Sequence, residues 1–247
     1  MGIIAFIPSR YGSTRFPAKP LALIDGRPMI RHVYQCAVAC PDISEVYVVT
    51  DDERISRCVQ DFGGKAIMTR KEHQSGTDRI AEAVQTLGLK DDDLVVNVQG
   101  DQPLFDPSVI SLMVAPLVKD AGIPMSTVKY RLEDEEEIRN INIVKVVTDN
   151  DGFALYFSRS MIPFYRELAS ENDYYKHLGF YAYRKEFLLK FTGLPSGRLE
   201  TAEKLEQLRA LEYGYRIMVV EATHDSVEVD SPADIQKVER MIKLHCK

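Results

Sequence analysis

No stretch of this chain approaches the ~20 consecutive apolar residues of a membrane-spanning helix, so the sequence predicts no membrane segment. The opening "MGIIAFIP" has no basic region ahead of its apolar residues and reads at once as a strand, which speaks against a secretory leader. Four cysteines, Cys36, Cys40, Cys58 and Cys246, follow neither a zinc-ligand nor a disulfide spacing. Reduced thiols and a cytoplasmic setting are the expectation. The phosphate-binding pattern GxxxxGK[ST] and the dinucleotide fingerprint GxGxxG are both missing. So are the nucleophilic-serine pattern GxSxG and the zinc-hydrolase pattern HExxH, and covalent catalysis is not indicated.

What is present suits one soluble α/β domain: 247 residues, 45% of them hydrophobic and 28% charged, with a net charge of −6. An acidic chain is a poor general partner for nucleic acid. One segment runs against that charge. "IPSRYGSTRFPAKP", residues 7–20, places Arg10, Arg15 and Lys19 among turn residues with no acid between them, directly after the apolar run "GIIAF". Two guanidiniums offer bidentate contacts to oxyanions and the ammonium acts as a point charge, which suits a small polyanion.

The first hundred residues alternate strand and helix: "GIIAFIP", "RPMIRHVYQCAVAC", "EVYVVT", "ERISRCVQDFG", "KAIMT", "TDRIAEAVQTLG" with Thr77 as cap, and "DLVVNVQ". This order predicts a mostly parallel, Rossmann-like sheet flanked by helices, with ligands at the carboxyl ends of its strands. The second half reads as strands "STVKYRL" and "NIVKVVTDNDGFALYFSRS", the latter a pair turning at Asp149 to Gly152. A strand entering a helix follows in "KHLGFYAYRKEFLLKF", then one long amphipathic helix in "LETAEKLEQLRALEYG", a late strand "YRIMVVEA", and a closing helix capped by Ser231. We expect a single domain over residues 1–247 with a mixed β region inserted at about 125–185.

Asp101, in the Gly/Pro turn of "NVQGDQP", should emerge at the carboxyl edge of its strand, and Asp230 in "EVDSPAD" lies between a β-like run and a capped helix. Two carboxylates opposite a cationic loop form a constellation for metal-assisted phosphoryl chemistry, which requires that they converge in space. His73, Arg159, His177, Glu206 and Gln207 are further polar candidates, each equally readable as structural from its own position.

Taken in order, "IPSRYGSTRFPAKPL", "GRPMIRHVY", "VVTDD", "MTRKEHQSGTDR", "VVNVQGDQP", "VKVV", "ALYFSRSMIP", "KHLGFYAYR", "LEQLRALEYG" and "VDSPADI" resemble the 3-deoxy-manno-octulosonate (Kdo) cytidylyltransferase, or CMP-Kdo synthetase, family, from about residue 3 to 240. The resemblance implies a nucleotidyltransferase α/β fold, a homodimer, Mg²⁺, and transfer of CMP from CTP to the anomeric hydroxyl of Kdo with release of pyrophosphate, for lipopolysaccharide synthesis. It gives Arg10, Arg15 and Lys19 to the triphosphate; Gln74, Ser75 and the backbone near Pro8 and Ser9 to cytosine; and Asp101 and Asp230 to Mg²⁺. Gln99, Arg159, His177, Tyr181, Glu206 and Gln207 would line the sugar site, with Arg159 facing the sugar carboxylate.

Some positions depart from the family's usual pattern. Ala18 replaces a glycine common in relatives, which suggests that the turn before Lys19 needs no positive φ. "DSVEVDSPAD", with Glu228 where many relatives have glycine, and "LPSGRLE" resemble the branch that activates 8-amino-3,8-dideoxy-manno-octulosonate, and Glu228 is a candidate partner for an ammonium group. Kdo is the leading sugar and its 8-amino analogue the alternative. A nicotinamide-dependent oxidoreductase is disfavoured by the missing glycine fingerprint, and a non-catalytic sensor by the two retained carboxylates.

Overall fold

Residues 1–12, 16–167 and 173–245 are described in the computed structural model. Arg15 and Cys246 therefore lie outside the described residues. The three described cysteines, Cys36, Cys40 and Cys58, are free thiols.

The apolar opening becomes strand β1 (Ile3–Ser9), followed by a small hairpin, β2 (Leu23–Ile24) and β3 (Arg27–Pro28), and helix α1 (Met29–Val38). Strand β4 (Glu45–Thr50), α2 (Glu53–Asp61), β5 (Ala66–Met68), α3 (Gly76–Leu87) and β6 (Leu94–Asn97) continue the alternation. The cap of α3 is Ser75 and not Thr77: the Ser75 hydroxyl accepts from the Asp78 N–H while Asp78 accepts from the Ser75 N–H. Thr77, the second residue of the helix, is buried and turned toward a different partner, described below.

Helix α4 (Ser108–Lys119), β7 (Met125–Leu132) and the short acidic α5 (Glu135–Arg139) precede the hairpin of β8 (Lys145–Thr148) and β9 (Ala154–Ser158). That hairpin turns at Asp149–Gly152, as its sequence predicts. Strand β10 (Tyr174–Arg184) enters α6 (Lys185–Thr192). The predicted long helix is instead two short ones, α7 (Arg198–Glu203) and α8 (Gln207–Glu212), separated at Lys204, whose backbone is left-handed (φ 55°). Tertiary bonds override the continuous apolar pattern there: Glu203 accepts from Ser158 Oγ and the Arg159 N–H through its carboxylate, and from Arg159 Nε through its carbonyl. Strand β11 (Ile217–Glu221) and α9 (Pro232–His245) close the chain, with Ser231 bonded to Asp234 at the start of α9.

The sheet runs β11-β7-β10-β6-β1-β4-β5, with β8 paired to β10 and β9 to β8. Its β6-β1-β4-β5 half is parallel, whereas β10 is antiparallel to both β6 and β7. Alternation along β1 sends Ala5 and Ile7 into one buried cluster, with residues of α1, α2 and α4, and Ile4 and Phe6 into the other, with residues of α3, α6 and α8. A third cluster joins Ile24 and Met29 to Val229 and Val238, which fixes the segment before α9 against the β2–β3 hairpin.

Ala18 has φ 58° and ψ 22°, the left-handed region, so the turn before Lys19 does require positive φ. Loop closure imposes it: the Ala18 N–H donates to Tyr11 O (3.0 Å), and its carbonyl accepts from the Leu21 N–H (2.8 Å). Ala18→Gly is expected to raise the unfolding free energy by about 0.5–1 kcal/mol, the left-handed penalty of a Cβ less the extra chain entropy of glycine. Urea unfolding at equilibrium measures it, and a loss of stability would refute this account of the turn.

Candidate active site

The carboxyl ends of β1 and β6 lie side by side and carry the two loops singled out from the sequence. They meet closely: a Cβ on Gly100 would stand 2.9 Å from Pro8 O and 3.0 Å from Ser9 Oγ, so only glycine allows this approach. Asp101 follows at once. The segment Val227–Asp230 lies along the same turn, with Val229 N–H donating to Asp101 O (2.9 Å) and Val227 N–H to Leu104 O (3.3 Å). This bridging, with Val229 wholly buried, brings Asp230 and Asp101 together across 129 residues of chain (230 − 101).

Lys19 closes the arrangement. Its Nζ donates to Asp101 Oδ2 (2.8 Å) and to Val229 O (2.9 Å), and lies 3.8 Å from Asp230 Oδ1. Oxygens of Asp101, Glu228 and Asp230 can all lie within 4.8 Å of one another. Glu228 thus joins the two predicted carboxylates at the junction of two cavities, as the third acid of the cluster.

The smaller cavity, about 360 Å³, is lined by Pro8, Ser9, Arg10, Lys19, Gln74 and Ser75, among others, so it gathers every described residue expected to meet CTP. Arg10 is exposed there, and Ser9 Oγ is buried without a partner among the described residues. His73, on the same wall, pairs with Glu82. Arg79, which sequence reasoning did not single out, is buried on this wall. It is held by Thr69 Oγ1 and by Asp51 at 3.2 Å.

The larger cavity, about 480 Å³, shares Gln99, Asp101 and Glu228 with the first and is lined by Arg159, His177, Tyr181, Glu206 and Gln207, the remaining predicted set. Its floor depends on an irregularity in β10. Between His177 and Tyr181 the strand advances four residues while β7 advances two, and Gly179 adopts φ 77°. The carbonyls freed by this bulge accept from Gln102 Nε2 (Leu178 O, 2.8 Å) and Gln99 Nε2 (Gly179 O, 2.7 Å). Four side-chain atoms on the cavity wall are shut off from solvent without hydrogen-bond partners among the described residues: Asn97 Oδ1, Gln102 Oε1, Glu206 Oε1 and Gln207 Nε2. Buried polar atoms are rarely left so, and three acceptors with one donor suit a ligand rich in hydroxyls.

The wall is electrically quiet in its depth. Thr127 Oγ1 donates to Phe180 O (2.6 Å), so it accepts from His177 Nε2 (2.8 Å), which fixes the Nε2–H tautomer. Burial lowers the His177 pKa to about 3, and the ring is neutral at ordinary pH. Burial, and secondarily Glu206, raises the Tyr181 hydroxyl. Burial likewise raises Glu206, against the hydrogen bond from Thr77 Oγ1 (2.5 Å) and Arg209 at 3.7 Å. Arg159, half-exposed, lines this cavity together with Lys176, Lys204 and Lys237. Its Nε and Nη1 donate to Glu203 O (2.8 Å) and Ile141 O (3.2 Å).

The profile of the cytidylyltransferase family matches residues 4–217 of the chain. The chain is 56% identical over 236 residues to a 3-deoxy-manno-octulosonate cytidylyltransferase of Syntrophus aciditrophicus, covering 96% of this chain and 95% of that protein. It is 53% identical over 245 residues to an 8-amino-3,8-dideoxy-manno-octulosonate cytidylyltransferase of Shewanella amazonensis, covering 99% and 100%. Among solved structures, a CMP:2-keto-3-deoxy-manno-octonic acid synthetase complexed with CTP matches with a TM-score of 0.92 and 40% identity, covering 99% of this chain and all of that one.

Neutral burial of His177 has a measurable cost in acid. Between about pH 3 and 6.5 the unfolded chain binds a proton at this residue that the folded chain does not, so its contribution to stability falls as pH drops through 6.5. Between about pH 7 and pH 5 the wild-type protein should lose about 2 kcal/mol more than His177→Gln. Urea unfolding of both proteins at the two pH values tests this, and equal losses would rule it out.

Proposed function

The chain belongs to the 3-deoxy-manno-octulosonate cytidylyltransferase family, and on that premise we propose that it transfers CMP from CTP to the anomeric hydroxyl of Kdo, releasing pyrophosphate, to supply lipopolysaccharide synthesis. The observation that carries this reading is the junction of the two cavities. A cationic pocket and a pocket of orphaned polar groups meet at Asp101 and Glu228, where a nucleotide and a polyhydroxylated acid would touch.

In the smaller cavity Arg10 and Lys19, with Arg15 in the same loop sequence, would neutralise the triphosphate, and Gln74, Ser75 and the backbone at Pro8 and Ser9 would meet the base. Lys19, bonded to Asp101, would follow charge onto the departing pyrophosphate. In the larger cavity Arg159 would meet the sugar carboxylate through a bidentate contact. Gln99, His177, Tyr181, Glu206 and Gln207 would accept and donate to hydroxyls, orienting the anomeric oxygen for in-line attack on the α-phosphorus. The site's acids, Asp101 and Asp230 with Glu228 beside them, are a hard oxygen donor set that fits Mg²⁺. Bound there, Mg²⁺ would supply charge neutralisation at the reacting phosphates.

We take the protein to work in the cytoplasm, where CTP is made; no helix of the described residues is long and apolar enough to cross a membrane. A homodimer is proposed through the hairpin region of the 125–185 insert. Strand β9 pairs only with β8 among the described strands, and Leu155, Ile141 and Phe164 on and around that hairpin expose 62%, 67% and 80% of their surface.

Mg²⁺-dependent pyrophosphate release from CTP with Kdo is the decisive assay. Repeating it with the 8-amino sugar and with UTP reads sugar and base preference, and no release with either octulosonate would sink the proposal. In the same assay Lys19→Ala and Asp101→Ala should each lower turnover at least about a hundredfold with the fold retained. Sedimentation should give twice the mass of one chain, and Phe164→Asp should shift that equilibrium toward monomer; a monomeric wild-type protein would end the dimer proposal.

A further inference from the structure

Lys145, on β8, is completely enclosed, with 0% of its surface exposed, and makes no ion pair within salt-bridge distance among the described residues. A buried ammonium is costly, and a residue such as methionine would fill the same space with less loss. What the lysine does in exchange is visible in its contacts. Nζ donates to the carbonyls of Asn140 (2.8 Å) and Ile143 (2.6 Å). The carbonyl of Ile141, between them, accepts from Arg159 Nη1 (3.2 Å), and that of Val144 from the His177 N–H (2.8 Å).

Two cations and one strand therefore hold the 140–144 loop from within, and Asn142, Ile143 and Val144 face the larger cavity beside Arg159. Removing the ammonium would orphan the Ile143 carbonyl, leave the Asn140 carbonyl only its bond from the Ile143 N–H (3.2 Å), and loosen the loop whose third carbonyl orients the guanidinium. The charges around Lys145 are Arg159, Glu203, and Lys176, its register partner on β10, which is itself paired with Asp225 (2.6 Å). Burial lowers the ammonium's pKa, with Arg159 adding to the effect, so the cation is held at a cost.

We propose that Lys145 is a positioning residue for the acidic sugar: it sets the 140–144 loop and, through Ile141, the aim of Arg159 at the sugar carboxylate. This rests on the larger cavity being the sugar site. The variants Lys145→Met, which removes charge and donors, and Lys145→Gln, which keeps a neutral NH₂ donor, test it in steady-state kinetics with CTP and the octulosonate varied separately.

KM for the sugar should rise at least about tenfold in Lys145→Met and less in Lys145→Gln, with KM for CTP within about twofold of wild type and kcat at saturating sugar little changed. A sugar KM left near wild type, an equal rise in both KM values, or a fall in kcat alone would overturn the proposal. If Lys145→Met fails to fold, Lys145→Gln carries the same comparison against the same outcomes. The wild-type enzyme run alongside separates the two readings: its own failure to use either octulosonate refutes the function, and the role of Lys145 with it, whereas normal wild-type turnover with unchanged variants refutes the role of Lys145 alone.

Discussion

The ammonium of Lys19 ties the site together. Three acids of like charge crowd one corner of the sheet edge, and such a cluster is repulsive unless a cation stands within it. Lys19 supplies that cation from a distant part of the chain and binds Asp101, the carbonyl of Val229 and the side of Asp230 at once. The left-handed turn at Ala18, the packing of Val229 against the β2–β3 hairpin and the close approach allowed by Gly100 all serve to bring this one nitrogen to those oxygens. The smaller cavity is built outward from that contact.

The larger cavity has a different foundation. It hangs on β10, the strand that runs against its neighbours: His177, Leu178 and Tyr181 line the cavity across the bulge, while Leu178 and Phe180 also join the core. Gln99 and Gln102, reaching from the turn after β6, bond the bulge to the loop that carries Asp101. Two amide side chains thus tie the bulge lining one pocket to the turn that carries the other pocket's carboxylate. On the proposed function, this shared frame would hold sugar hydroxyl and α-phosphorus together, the geometric requirement of an in-line displacement.

Much of this was legible in the residues. The parallel half announced itself through short apolar runs alternating with capped amphipathic segments, and strand ends told where Arg10 and Asp101 would emerge. Local signals failed where distant contacts decide the backbone. Ala18 looked free of positive φ because alanine usually avoids it, yet Tyr11 and Leu21 close the loop around it. The amphipathic pattern around Lys204 runs on unbroken, and only Arg159 and Ser158, arriving from β9, cap the chain at Glu203. Thr77 carries the side chain of a helix cap, but Glu206 from the far end of the sequence claims it. Lys145 sits in "VKVV", where the flanking valines declare a strand and nothing local declares what the lysine holds.

The bridge between Leu104 and Val227 also sets an order of events. A ribosome releases this chain from its amino end, so the sheet's parallel half and its cationic loop exist long before Asp230 does. Until residues 227–230 emerge and lie down beside the turn after Gly100, Lys19 lacks two of its three oxygens and the carboxylate cluster has a single member. A half-made chain can begin its core, but it cannot assemble the site. Completion of the site waits on residues 227–230.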